Sequence, residues 1–318
     1  MSEMDVADNP TCFEIPGEHG ALPAPPLPPG ELPEVLNGRY RIERLLGVGG
    51  MGAVYRARDL LREQFGEPDP YVAVKVISET FAEYPDASTL LYSEFALTMR
   101  LHHPHVVRLY DFAVDLQCRR AFITQELMRG LTLDRLLCER PQGLVWNELR
   151  EIALPLLDAL AYSHERGVLH GDLKPSNVML AEDGLRLFDY GLGQSRDGVL
   201  PGLPRLCREH IAAWTPRYAA PELLDGAPLS TATDIFSVAC VLYELACGKH
   251  PFPKDTQTVQ VDRQPPAPAS LPTHCWRALR TALSQSAEDR RISARELHEA
   301  FNTAVPGNRR RWIDWRAR

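Results

Sequence analysis

The densest run of chemically capable side chains is His170-Gly171-Asp172-Leu173-Lys174-Pro175-Ser176-Asn177. A carboxylate and an amide four residues apart fit one tight loop, where the carboxylate can orient a hydroxyl and accept its proton while the amide holds a metal. Phe188 follows eleven positions after Asn177, and then Asp189-Tyr190-Gly191. Asp189 offers a hard oxygen suited to a hard cation such as Mg2+. Upstream, Gly47-Val48-Gly49-Gly50-Met51-Gly52-Ala53-Val54 fits GxGxxGxV. Glycines let backbone amides approach phosphate with no Cβ in the way. Lys75 sits in the apolar run Val72-Ala73-Val74-Lys75, where an ammonium is costly unless it meets an anion. Glu94, on the next predicted helix, is its natural partner, and the pair can hold phosphates through charge-assisted bonds. Read singly, these are a glycine-rich hairpin, a strand-end charge and two polar turns. Read in order, they point to phosphoryl transfer, in which dense negative charge is screened as a hydroxyl arrives in line.

Positioning such groups needs particular elements. The segments RYRIERLLG, AVYRARD, YVAVKVI, VVRLYDFAV and AFITQEL alternate as strands do. A strand, not a helix, follows the glycines, which favours a flap over phosphate rather than a dinucleotide fold. One helix is predicted between the third and fourth strands, from about Ser88 to Leu101. The link from Asp59 to Tyr71 exceeds a tight hairpin and reads as a surface insertion. After Gly130 the pattern turns helical: Trp146 to Arg166, an apolar central helix from Thr231 to Cys247, His274 to Gln285, and Ser293 to Ala304. The fold class is therefore α+β: an antiparallel-sheet lobe with one helix, then a larger, mostly helical lobe. Residues 1–37 form a proline-dense tail with no hydrophobic periodicity, expected to be disordered. Residues 38–304 form the folded domain, divided at about 127–131, and residues 305–318 form a basic tail.

Composition narrows the classes. A formal net charge of -7 argues against non-specific nucleic-acid binding. Seven irregularly spaced cysteines with no CxxC pair suggest buried thiols in a reducing compartment, hence a cytoplasmic location. The longest apolar run, near Phe236 to Cys247, is interrupted by Ser237 and Glu244 and is too short to span a bilayer. The N-terminus lacks the basic start and apolar core of a signal peptide.

Together these motifs resemble the eukaryotic-type protein kinase family in its bacterial serine/threonine branch, over about residues 39 to 304. The GGMGAVY form of the loop, Ala220-Pro221-Glu222 and Asp234-Ile235-Phe236-Ser237 carry the resemblance beyond the catalytic stretch. The resemblance implies a two-lobed kinase fold, with ATP and Mg2+ as cofactors (Mn2+ as an alternative metal) and protein hydroxyls as acceptors. It assigns Asp172 as catalytic base, with Lys174, Lys75, Glu94 and Thr215 in support, Thr215 tying Lys174 to Asp172. Asn177 and Asp189 would hold the metal. Residues Gly47 to Val54 would cover the phosphates, and Val54, Ala73 and Met179 would sandwich adenine. Gln125 would be the gatekeeper, and Glu126 to Met128 the hinge that binds the base. Thr98, Leu109, His170 and Tyr190 would stack as the regulatory spine, and Arg291 would pair with Glu222.

Four departures qualify the match. Glycine at 171 replaces the arginine that usually grips a phosphorylated activation loop, so activity is expected not to require that modification. The stretch from Asp189 to Glu222 offers only Ser195 and Thr215 as hydroxyl acceptors of the serine/threonine kind. Tyr190 replaces phenylalanine and adds a hydroxyl that needs a partner. Thr98 is polar where an aliphatic residue is usual. Two other functions fit part of the pattern. A pseudokinase scaffold would lack turnover, and a small-molecule phosphotransferase would share His-Gly-Asp but not Lys174-Pro175 or Ala220-Pro221-Glu222. Thr11, in the N-terminal tail, is a candidate autophosphorylation site for a phosphothreonine-reading partner.

Overall fold

The computed structural model describes residues 32–49, 52–77, 87–195, 216–252 and 264–303. Both predicted tails lie almost wholly outside these residues, as do Thr11, Gly50, Met51 and Thr215.

The chain's most continuous β-branched run becomes a central strand. Strand β4 (Tyr71–Ile77) is buried at every position but its first and pairs with β3 (Gly52–Asp59) on one side and β6 (Arg120–Glu126) on the other. With β1 (Val35–Leu36), β2 (Tyr40–Val48) and β5 (Leu109–Asp115) they form an antiparallel sheet in the order β1-β2-β3-β4-β6-β5. Alternation on β4 sorts its side chains. Val72, Val74 and Val76 join Leu36, Tyr40 and Phe122 on one face, while Ile77 joins Ala87, Leu91, Leu109 and Ile123 on the other, beneath helix α2 (Ala87–Thr98).

Two short elements went unread in the sequence. Order begins before the expected boundary at residue 38: Leu36 is fully buried and pairs with Tyr40. Asn37 and Gly38 turn the chain there with φ of 49° and 64°, so the Asn-Gly pair after Val-Leu was a legible hairpin signal. The link after Asp59 contains a one-turn helix, α1 (Leu60–Gln64). Asp59 caps it by accepting from the amides of Leu61 and Arg62 and takes a two-point bond from Arg39 at 2.9 and 2.6 Å.

The larger lobe is built on α4 (Trp146–Glu165) and α6 (Thr231–Cys247). The predicted stripe Leu149, Ile152, Ala153, Leu156, Leu157 and Leu160 is buried to 2% exposure or less. Helix α6 is buried on nearly every face and begins at a capping box formed by Ser230 and Thr233. Helices α7 (Thr273–Ala282) and α8 (Ala294–Asn302) close the same core. Helix α3 (Leu133–Glu139) and the short α5 (Pro221–Leu224) lie between these elements in the chain. Two small sheets, β10-β9-β7 and β11-β8, carry the loops that matter for chemistry: β7 (Gly130–Thr132), β8 (Val168–Leu169), β9 (Val178–Ala181), β10 (Gly184–Leu187) and β11 (Gln194–Ser195). Among the described residues no helix is long and apolar enough to cross a membrane.

Candidate active site

Lys75 projects from β4 on the face that meets α2. Its Nζ lies 2.7 Å from both carboxylate oxygens of Glu94 on α2 and 2.7 Å from Oδ1 of Asp189. Residues 114 positions apart thus share one ammonium. Burial weighs most against its charge, yet Asp189 and Glu94 together hold Lys75 above the ordinary lysine value. Burial also opposes ionisation of Asp189, and Lys75 overcomes it, keeping that carboxyl below its usual range. Glu94, deeper and with less solvent, is pushed up by burial despite the lysine. Asp189 is 37% exposed, so a carboxylate held charged reaches into the cleft between the lobes.

Beside Asp189 stands the loop between β8 and β9, where the Asn177 carbonyl accepts from the Phe188 amide at 3.0 Å. Lys174 Nζ lies 2.5 Å from Oδ2 of Asp172. Asn177 donates through Nδ2 to the Asp172 carbonyl at 2.8 Å, which leaves its Oδ1 as an oxygen for a cation. What shapes this loop is Asp234 at the start of α6. Its Oδ2 accepts from the His170 amide and sits 2.9 Å from His164 Nε2, and its Oδ1 accepts from the Gly171 amide, all at 2.9 Å. Burial would raise Asp234, but His164 and these amides hold it charged. Gly171 takes φ +81°, and a Cβ there would meet the Leu192 carbonyl oxygen at 2.5 Å. The loop is therefore built for glycine at that position.

The glycine flap divides into two kinds of glycine. A Cβ on Gly47 would meet nothing within 4 Å, and one on Gly49 only the Gly52 carbonyl at 3.8 Å. Both face the open space a phosphate needs. A Cβ on Gly52 would meet the Val76 carbonyl at 2.2 Å, so that glycine serves the β3–β4 pairing. Val48 is exposed, and Ala53 and Val54 follow on β3, with Val54 in register with Lys75. Ala73 is paired with Gln125, which is buried. Met179, half-buried on β9, pairs with Thr132 on β7, shortly after the hinge. In the hinge, the Glu126 amide is spent on the Arg108 carbonyl at 2.9 Å, and its side chain accepts from the Arg108 amide and from Arg186 Nε. No hydrogen bond occupies the Met128 backbone among the described residues, so that backbone is available to a base.

The expected spine is partly built. The rings of His170 and Tyr190 pack at 4.5 Å, and Thr98 and Leu109 are buried, Thr98 with no partner for its Oγ1 among the described residues. One expectation is corrected. Arg290, not Arg291, holds Glu222, with Nη1 and Nη2 at 2.6 and 3.2 Å from its two oxygens. Arg290 is fully buried, whereas Arg291 is exposed and donates to the Glu288 carbonyl. The roles of His164, Ser163 and Arg290 were missed, because partners 27 to 70 residues away leave no local pattern.

A family profile for the protein kinase domain matches residues 40–300. The chain belongs to the protein kinase family. Serine/threonine-protein kinase PkaA of Streptomyces coelicolor is 32% identical over 292 residues, covering 86% of this chain and 51% of that protein. Serine/threonine-protein kinase pkn3 of Myxococcus xanthus is 32% identical over 288 residues, with the same 86% and 51% coverage. The chain spans about half the length of these curated relatives. The crystal structure of the Mycobacterium tuberculosis PknI kinase domain matches with a TM-score of 0.63 at 26% identity, covering 84% of this chain and 96% of that one. The two-lobed α+β kinase fold expected from the motifs is thus present, and the similar curated proteins are bacterial serine/threonine kinases.

Proposed function

We propose that residues 38–304 act as a protein serine/threonine kinase, moving the γ-phosphoryl of Mg-ATP to a protein hydroxyl. The observation that carries this reading is the single ammonium of Lys75 bound at once to Glu94 and Asp189. It ties a cation of the small lobe to a charged carboxylate of the large lobe, the lobe that also carries Asp172, Lys174 and Asn177. Asp189 and Asn177 Oδ1 are hard oxygens that suit Mg2+. When bound, the metal would screen the phosphate charges. Lys75 would hold the α- and β-phosphates, and Gly47 and Gly49 would leave room for the flap's amides. The Met128 backbone would receive the base between Val54, Ala73 and Met179, with Gln125 behind it. Asp172 would orient the acceptor hydroxyl and take its proton, and Lys174, already at its side, would neutralise the transferring group. Gly171, tightly packed and without a side chain, has nothing with which to grip a loop phosphate. Activity is therefore proposed to be independent of activation-loop phosphorylation. An essential phosphate found there by mass spectrometry would end that part of the reading.

Transfer of labelled γ-phosphate by purified protein, to casein and separately to small amines and alcohols, tests the proposal. Lys75→Met and Asp189→Asn are each expected to lower protein phosphorylation about a hundredfold or more, with Asp172→Asn doing likewise. Undiminished turnover in these variants, or transfer to small molecules alone, would remove the assignment. Thr11 is further proposed as an autophosphorylated mark read by a phosphothreonine-binding partner; equal partner affinity in Thr11→Ala would refute it.

A further inference from the structure

Tyr190 lies between Asp189 and Gly191 and is fully buried. Its phenol oxygen is 2.9 Å from Oγ of Ser163 on the inner face of α4. Ser163 is also fully buried, and its Oγ donates to the Ala159 carbonyl at 2.9 Å. A serine hydroxyl carries one proton, so the phenol is the donor in the pair. Ser163 is the phenol's sole hydrogen-bond partner among the described residues. One position earlier, Asp189 takes φ 66°, in the left-handed region that side chains with a Cβ rarely adopt. A residue held there needs restraint from its surroundings. Lys75 restrains its carboxylate from the small lobe. From the large lobe, restraint comes through Tyr190, whose ring packs on His170 and whose carbonyl accepts from the Gly193 amide at 2.8 Å.

We propose that the Ser163–Tyr190 hydroxyl pair is a latch that holds Asp189 facing the cleft, which makes Ser163 a positioning residue for metal-bound nucleotide. The proposal rests on the reading of Asp189 as the metal-holding residue. The bond exists only while Tyr190 is packed inward. If the segment swings out, the phenol finds water, and Ser163 keeps its bond to Ala159. A contact made in one state and not the other biases the equilibrium between them. The bias depends on which partner is removed. Without Ser163, the inward state buries a phenol with no partner, which is costly. Without the phenol, nothing is left unsatisfied. Loss of Ser163 should therefore be harmful only while residue 190 is tyrosine.

The test uses the full chain as wild type, Ser163→Ala, Ser163→Cys, Tyr190→Phe, Asp189→Asn and the double variant Ser163→Ala/Tyr190→Phe. Affinity is measured for Mg-ADP and for ADP in EDTA. Hydrogen exchange of residues 188–193 is followed without nucleotide, and melting temperatures are recorded. Ser163→Ala is expected to weaken Mg-ADP about tenfold, with metal-free ADP changed by less than about twofold. The 188–193 amides should exchange faster in the nucleotide-free protein. Ser163→Cys, a poorer acceptor of similar size, should fall between and serves if the alanine variant does not fold. In the Tyr190→Phe background, Ser163→Ala should cost less than about twofold. Equal losses for Mg-ADP and metal-free ADP, equal costs in both backgrounds, or unaltered exchange would each overturn the latch. If Asp189→Asn weakens both nucleotide forms alike, the metal-site reading fails instead.

Discussion

A Cβ built on Gly171 would fall 2.5 Å from the Leu192 carbonyl oxygen, on a backbone at φ +81°. Neither the left-handed conformation nor the contact with another backbone is easily relieved. Gly171→Ala is therefore expected to destabilise the protein by about 1–3 kcal/mol, read as a lowered midpoint in denaturant titration. An unchanged midpoint would show that the loop yields. Arginine should fare no better, since the obstruction lies at Cβ. The motif spacing disclosed which residues come together: Lys75 and Glu94 meet as read, Asp189 joins them, and Asp172, Lys174 and Asn177 share one loop. Spacing could not show which glycine of the flap faces open space and which faces Val76, because GxGxxG looks alike in both cases. Nor could it pair Tyr190 with Ser163, since nothing in a helix pattern marks one buried serine as an acceptor for a distant phenol.

Long elements were legible because periodicity accumulates over several turns. Helix α6 runs from Thr231 to Cys247 as read, and α4 ends one residue short of the expected Arg166. Helix α1 and strand β1 hold five and two residues, too few for a period to register. The misassigned arginine has a similar cause. Arg290 and Arg291 lie just before α8, outside any helix or strand, so no face can be assigned to either. The structure gives them very different weights. Arg290 is enclosed, bonded to Glu222, the Ala232 carbonyl and the Ser284 carbonyl. Arg290→Ala strands the Glu222 carboxylate and is expected to cost about 3–5 kcal/mol. Arg291→Ala should stay within about 0.5 kcal/mol of wild type. Urea denaturation of the two variants decides the matter, and equal stabilities would mean the pairing has been misjudged.

Across the whole molecule, burial chiefly holds His103, His105, His170 and His250 below the ordinary imidazole value. In the unfolded chain each would take up a proton below about pH 6.5. There the unfolded state binds more protons, so stability rises with pH and is lost on acidification. Seven depressed carboxyls, at Asp59, Asp69, Asp115, Asp158, Asp189, Asp234 and Glu296, extend the same loss to lower pH as they protonate. Glu94, raised by burial, runs the other way but is one group against many. Stability should therefore fall steadily from pH 7.5 to 5.5, by up to about 1.4 kcal/mol per pH unit for each proton taken up, and the melting temperature should fall with it. A flat profile would mean that these imidazoles charge within the fold. The apolar core is also unevenly shared: one continuous cluster fills the body around α4 and α6, while two thin ones line the faces of the upper sheet. The molecule is a heavy keel under a light deck. Lys75 and Glu94 ride on the deck, and Asp172, Asn177 and Asp189 are fastened to the keel. Loosening the upper timbers would part Lys75 and Glu94 from Asp189 while the hull stays whole.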